Sequence, residues 1–237
     1  MRYLVTGGSG FIGSHVVDRL LSDGHEVLVL DNLSTGNLNN LSQHQKNGKF
    51  KFQLGDIRDS NLVSDCVSNV DRVFHFAAAV GVLTVLNHPI ESMKINIEGT
   101  ECILNMCLKW KKPVLIASSS EIYGKNTAKT LTEDDNRIIG APQKIRWMYS
   151  DSKAIDEACA VSMHNLYGVE TRIVRLFNTV GPRQVGRYGM VVPRFIDSAI
   201  NNRPLEVYGT GTQTRCFGHI FDIVEALIRL ETCKEAI

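Results

Sequence analysis

Short apolar runs alternate along this chain with longer stretches in which apolar residues return every three or four positions. The short runs read as strands over Arg2–Thr6, Glu26–Leu30 (EVLVL), Lys49–Leu54, Asp71–Phe76 (DRVFHF), Lys112–Ala117 (KPVLIA) and Val169–Val174. The periodic stretches predict helices over Phe11–Ser22, Leu62–Asn69, Pro89–Lys109 and Met148–Tyr167. Pro89 stands at a helix start, where its missing N–H does no harm. Strand–helix alternation of this kind predicts a parallel sheet covered on both faces. No internal repeat and no low-complexity segment interrupts it.

After Asn178 the pattern changes. Gly181-Pro182, the Gly186–Gly189 stretch, Pro193, Pro204 and Gly209–Gly211 break the alternation, and Asp222 followed by Glu225 marks a helix N-terminus. A doubly wound α/β domain over residues 1–178 is therefore expected, with a small, loop-rich lobe interleaved over 179–237. Such a lobe can close over the C-terminal edge of the sheet, where open α/β folds bind ligands.

Composition narrows the function classes. With 43% hydrophobic and 22% charged residues and a net charge of +1, the chain is an ordinary globular protein without the basic surface that nucleic acid or an acidic membrane would require. The one basic cluster, Lys109–Lys112 around Trp110, suits a helix C-terminus. No apolar run approaches the roughly 18–20 residues that span a bilayer. The N-terminus is too short before its first glycines to be a signal peptide, so a cytoplasmic location is expected. Six cysteines without a C-x-x-C pair, and seven histidines without ligand spacing, argue against a metal site and a disulfide framework.

The candidate chemistry begins at Gly7, Gly10 and Gly13, spaced G-x-x-G-x-x-G between the first strand and the first helix. Glycines there permit a tight turn and bring backbone N–H groups to a pyrophosphate at the helix N-terminus. Turn chemistry alone is the alternative reading of such a triplet. Asp31 ends the second strand 18 residues beyond Gly13. A carboxylate at that place accepts both ribose hydroxyls of NAD and repels a 2′-phosphate, and the following Asn32-Leu33-Ser34-Thr35-Gly36 holds no cation to pair one. NAD is thus expected over NADP, with a turn-capping aspartate as the alternative. Tyr149 and Lys153 lie four apart on a predicted helix and share a face. A phenol near pKa 10 is a poor base at neutral pH, and an adjacent ammonium favours its ionised form. A solvated helix face is the plainer reading of the same pair.

Taken with Gly55-Asp56-Ile57-Arg58-Asp59 and His75-Phe76-Ala77-Ala78, these motifs resemble the extended short-chain dehydrogenase/reductase family of nucleotide-sugar epimerases, dehydratases and decarboxylases, from residue 1 to about 230. The resemblance implies an NAD-binding Rossmann domain. Its cofactor contacts would be Gly7, Gly10, Phe11, Ile12, Gly13, Asp31, Asn32, Asp56, Ile57 and Ala77, with Asp56 at the adenine, together with Tyr149 and Lys153. Tyr149 becomes the acid/base, and Lys153 also holds the nicotinamide ribose. Ser119, four residues before Tyr123-Gly124, matches the family's Ser or Thr that bonds the reacting hydroxyl; Tyr123 itself reads as structural. The 4,6-dehydratases carry Asp-Glu next. This chain has Ser120-Glu121, which resembles UDP-glucuronate decarboxylases and related 4-epimerases and makes Glu121 a catalytic candidate.

On the sugar side, Arg175-Leu176-Phe177-Asn178-Thr179-Val180-Gly181-Pro182-Arg183 resembles the family's R-x-F-N-x-x-G-P-R, with Asn178 at a substrate phosphate. Arg215 resembles a diphosphate ligand, Arg187 faces a sugar carboxylate in the glucuronate-acting branch that Arg146-Trp147-Met148-Tyr149 also resembles, and Ser120 joins the substrate contacts. A surface arginine is the alternative for Arg215. The resemblance implies a UDP-sugar 4-epimerase on UDP-glucuronate or UDP-glucose, with UDP-glucuronate decarboxylase as the alternative and a non-catalytic NAD-binding sensor as the alternative of another class. It also implies a homodimer through Pro89–Lys109 and Met148–Tyr167. Family members continue for several tens of residues more, so the substrate lobe is expected to be incomplete.

Overall fold

A computed structural model describes residues 1–186 and 189–234. The chain runs β1 (Arg2–Thr6), α1 (Phe11–Ser22), β2 (Glu26–Asp31), β3 (Phe50–Leu54), α2 (Ser60–Ser68), β4 (Arg72–His75), α3 (Val82–Asn87), α4 (Pro89–Trp110) and β5 (Val114–Ser119). It continues through α5 (Met148–Tyr167), β6 (Thr171–Leu176), β7 (Asn178–Val180), α6 (Val191–Ile200), β8 (Phe217–His219) and α7 (Ile220–Thr232). The six long strands form one parallel sheet in the order β3-β2-β1-β4-β5-β6, and β7 and β8 pair separately, also in parallel. This is the expected Rossmann-like doubly wound architecture.

Alternation within the strands sends side chains into two cores, one on each face. Tyr3, Val5, Val27, Val29, Phe74 and Leu115 meet α1 through Val16, Val17 and Leu20. Leu4, Leu30, Val73, Val114 and Ile116 meet α2, α4 and α5 through Val63, Val67, Ile103, Leu104 and Ala160. The C-terminal α7 returns to the first of these layers with Ile220, Val224 and Leu227, and Arg19 of α1 pairs there with Glu225.

Several boundaries differ from the pattern reading. Strand β6 starts at Thr171 rather than Val169, because left-handed Gly168 closes α5 and the Val169 N–H still reaches Met163 O at 3.4 Å. β5 extends to Ser119, so this serine closes the strand instead of following it. Helix α7 begins at Ile220, with His219 as N-cap, and Asp222 falls in its first turn. Pro193 lies in the first turn of α6, where a missing N–H breaks no helical bond. Neither this helix, α3 nor the β7–β8 pair stood out in the periodicity, since each is short or carries glycine and proline at its edges.

The order reverses between β1 and β4, and the crevice at that point is floored by glycine. Gly7 has φ +69°, and a Cβ on it would lie 2.7 Å from the Ala77 N after β4. A Cβ on Gly13 would lie 2.3 Å from the Gly7 carbonyl oxygen. Backbone meets backbone at both places, so neither contact can relax by turning a side chain. Gly13→Ala is expected to lower stability by about 1–3 kcal/mol, read as an earlier urea midpoint at unchanged slope.

Candidate functional site

One cavity of about 2020 Å³ runs along the C-terminal ends of the strands. Its cofactor end is walled by Gly7, Gly10, Phe11, Ile12, Gly13, Asp31, Asn32, Ile57 and Ala77. Helix α1 opens into it without a side-chain cap at Gly10. Its first N–H groups are therefore available to an anion, which fits a pyrophosphate. Asp31 is buried at the tip of β2, where its carboxylate accepts the Ser9 N–H at 2.9 Å and the Leu33 N–H at 2.8 Å. Each oxygen keeps lone-pair capacity for a ribose hydroxyl. The residues present therefore fit a dinucleotide.

Asp56 stands differently. Its carboxylate is gripped by Arg58 through Nε at 2.9 Å and Nη2 at 2.8 Å, and Arg58 continues to Glu91 of α4 at 2.6 Å. The Arg58 hydrogen bonds hold the Asp56 carboxyl down at about 2 against the opposing effect of burial. Gly55 and Ile57, on either side of it, form the cavity wall. Asn32 reaches the same carboxylate at 3.4 Å.

A second cluster of lining residues joins β5 to α5. Ser119, Ser120, Glu121, Tyr149 and Lys153 all line the cavity. The Ser119 hydroxyl accepts the Glu121 N–H at 3.2 Å and so caps the 3-10 turn Ser120–Tyr123, while also standing by the Tyr149 phenol. Burial pushes the Tyr149 phenol above its ordinary value; Lys153 and Ser119 draw it back, and Glu121 and Asp156 push it further up. Lys153 is buried and donates to Asp156 at 3.1 Å. Glu121 faces Arg146 at 3.6 Å, and the Arg146 guanidinium stacks on Trp147 at 4.4 Å from the ring centre. Tyr123 is buried beneath the Arg175 guanidinium, which fits the structural role expected of it.

Asn178 and Arg215 also line the cavity, although each side chain is tied to a carbonyl: Asn178 to Cys216 at 2.9 Å and Arg215 to Thr214 at 2.7 Å. Arg187 lies outside the described residues. A separate apolar groove of about 490 Å³ between β6 and α7 includes none of the serine, tyrosine and lysine set. Among the described residues no His, Cys, Asp and Glu group is placed to hold a metal ion, and no helix is long and apolar enough to cross a membrane. Sequence reading missed Arg58 and Asp156 as partners of site residues. The first shares a motif with Asp56, and the second is one helical turn from Lys153; both spacings are common on solvated surfaces, and only burial makes them informative.

The family model described as "NAD dependent epimerase/dehydratase family" matches residues 3–236. The chain is 43% identical over 228 residues to a UDP-N-acetyl-alpha-D-glucosaminuronate decarboxylase of Bacillus cytotoxicus, covering 96% of this chain and 70% of that protein. It is 36% identical over 230 residues to UDP-glucuronic acid decarboxylase 4 of Arabidopsis thaliana, covering 97% of this chain but 51% of that one, about half its length. The UDP-glucuronic acid 4-epimerase of Bacillus cereus, solved with UDP-glucuronic acid and NAD, superposes with a TM-score of 0.89 at 28% identity, over 100% of this chain and 75% of the epimerase.

The buried Asp31 carboxylate, with no cation in the loop after it, yields a test of cofactor choice. Calorimetric titration is expected to show NAD binding far more tightly than NADP. Asp31→Ala should narrow the difference by removing the charge that repels a 2′-phosphate.

Proposed function

The chain belongs to the NAD dependent epimerase/dehydratase family, and from that premise we propose that it oxidises the C4 hydroxyl of a UDP-linked uronic acid and then removes the carboxylate. The observation that carries the C4 chemistry is the convergence of Ser119 and Lys153 on Tyr149 in the cavity that the glycine loop also lines. The decarboxylase outcome is supported by the two decarboxylase relatives. The 4-epimerase expected from the sequence is the second reading, supported by the likeness to the Bacillus cereus epimerase.

The two readings share their first half. When bound, NAD supplies a reversible acceptor for the C4 hydride. Tyr149 takes the O4 proton as general base, and the Ser119 hydroxyl holds that oxygen. Lys153 favours the phenolate electrostatically, against the burial that disfavours it. A 4-ketone in a uronic acid stands β to the carboxylate. Breaking C5–C6 releases carbon dioxide and leaves the electron pair at C5 as an enolate; a proton then returns to C5, and return of the hydride to C4 with the Tyr149 proton to O4 gives the UDP-pentose. Turning the ketone in the pocket instead, so that it is reduced from its other face, gives the epimer. Glu121 and its partner Arg146 bring a carboxylate and its counter-charge to this wall, compatible with either outcome. Asn178 and Arg215 would hold the diphosphate side.

We also propose a homodimer through α4 and α5. Ile155, Val161, Leu166 and Tyr167 of α5, with Ile90 of α4, are exposed apolar side chains on these helices. Sedimentation at micromolar concentration is expected to show a dimer, and a monomer alone would count against it.

Product analysis by NMR after incubation with UDP-glucuronate is expected to show a UDP-pentose; UDP-galacturonate would favour the epimerase reading. Tyr149→Phe removes one oxygen, so folding and NAD binding should survive while the rate falls at least about 10²–10⁴-fold. The rate should rise with pH as the phenol ionises. Lys153→Met removes a charge that lowers the Tyr149 pKa, so the remaining activity should rise at higher pH than in the native chain.

A further inference from the structure

Behind the reactive pair lies a run of buried polar groups that proton transfer at Tyr149 does not itself require. Lys153 Nζ donates to Asp156 Oδ2 at 3.1 Å, and the two side chains are 4% and 1% exposed. The other oxygen of Asp156 makes no hydrogen bond. From α4 the Thr100 hydroxyl faces Asp156 and meets His75 Nε2 at 3.1 Å. The Thr6 hydroxyl, at the end of β1, meets His75 Nδ1 at 2.7 Å and accepts the Ala77 N–H at 3.2 Å. The run thus reaches from the root of the glycine loop to Lys153.

Among the charged and titratable groups around it, Lys153 and Asp156 are each other's ion-pair partner. On α5, Glu157 is committed to Arg175 of β6 at 2.8 Å. Cys159 on the same helix is pushed up, first by burial and then by Asp156 and by Glu101 of α4, and so stays a neutral thiol. His75 of β4 is held neutral, its pKa lowered to about 3 by burial and then by Lys153. Glu121, on the turn after β5, acts on Tyr149. Burial pushes the Asp156 carboxyl up, Lys153 followed by Thr100 opposes it, and the Glu157 charge adds to the rise.

Burying an ammonium costs free energy that a close counter-charge offsets. A neutral lysine would no longer favour the Tyr149 phenolate. We propose that Asp156 is a positioning residue for Lys153: its carboxylate keeps the ammonium charged and occupies one of its three N–H donors, leaving two for the cavity. The inference rests on the reading of Tyr149 and Lys153 as the reactive pair, and it adds a residue outside the glycine, serine and tyrosine–lysine motifs.

The test follows the Lys153 ammonium resonance against pH in the ¹⁵N-labelled chain saturated with NAD, identified by its loss in Lys153→Arg. Asp156→Asn is nearly isosteric and should move the Lys153 titration to lower pH by on the order of one unit or more. Asp156→Glu, which keeps the charge, should stay nearer the native midpoint. The same midpoint in Asp156→Asn and in the native chain would overturn the proposal. The ¹³Cγ shift of Asp156 in the unsubstituted chain should report an ionised carboxylate at neutral pH; a protonated carboxyl there overturns it even if Asp156→Asn does not fold. Neither measurement uses a sugar. Absence of turnover with UDP-glucuronate in the unsubstituted chain would count against the proposed function and leave the lysine titration to be judged separately.

Discussion

The close approach of bare backbone at the switch point between β1 and β4 is the constraint on which the rest depends. Gly7 sits against Ala77, and Gly13 against the carbonyl of Gly7, with no room for a Cβ at either place. That contact seats the start of α1 directly over the ends of the two central strands. It follows that the uncapped helix N-terminus, the Asp31 carboxylate and the segment after β4 share one crevice. A bulkier turn would lift α1 off the sheet and separate the anion-binding end from the carboxylate at the tip of β2.

The reactive end is governed by a balance between burial and charge. Enclosing Tyr149 disfavours its phenolate, and the ammonium of Lys153 works in the opposite direction. Lys153 is itself enclosed and has Asp156 beside it. The site thus holds a phenol and an ammonium in a poorly solvated wall, where a unit charge acts more strongly than it would in water. Neutral His75 and the hydroxyls of Thr6 and Thr100 satisfy the polar interior without adding a second cation that would compete for Asp156.

The cofactor end of the cavity and the end lined by Asn178 and Arg215 are held with unequal firmness. The glycine loop and Asp31 are built into the sheet and its two cores. Asn178 and Arg215 are exposed and spend donors on nearby carbonyls, and α6 beside them has no buried residue. Dinucleotide recognition is therefore a property of the packed core. The Asn178 and Arg215 side chains have surroundings that are mostly solvent, and under the proposed function the shape of the pocket there would set which sugar nucleotide is held.

How much of this was legible in the sequence depends on the distance over which each feature is set. The strand–helix alternation, the G-x-x-G-x-x-G turn, Asp31 at a strand end and the Tyr149–Lys153 spacing are local patterns, and local geometry alone brings their groups onto one face or one turn. Features decided by contacts across the chain were not legible. The Arg58–Glu91 pair, which fixes the guanidinium that holds Asp56, and the Thr6–His75–Thr100 link join residues tens of positions apart. Helix α7 packs on α1 across the whole length of the chain, and its start moved from Asp222 to Ile220 as part of that packing. Asp156 shows the division most clearly. Its place one turn from Lys153 is written in the sequence, but an acid and a base at that spacing usually lie in water, where the pair is worth little. Only the tertiary structure, by burying both under α4 and the sheet, turned the spacing into an electrostatic constraint.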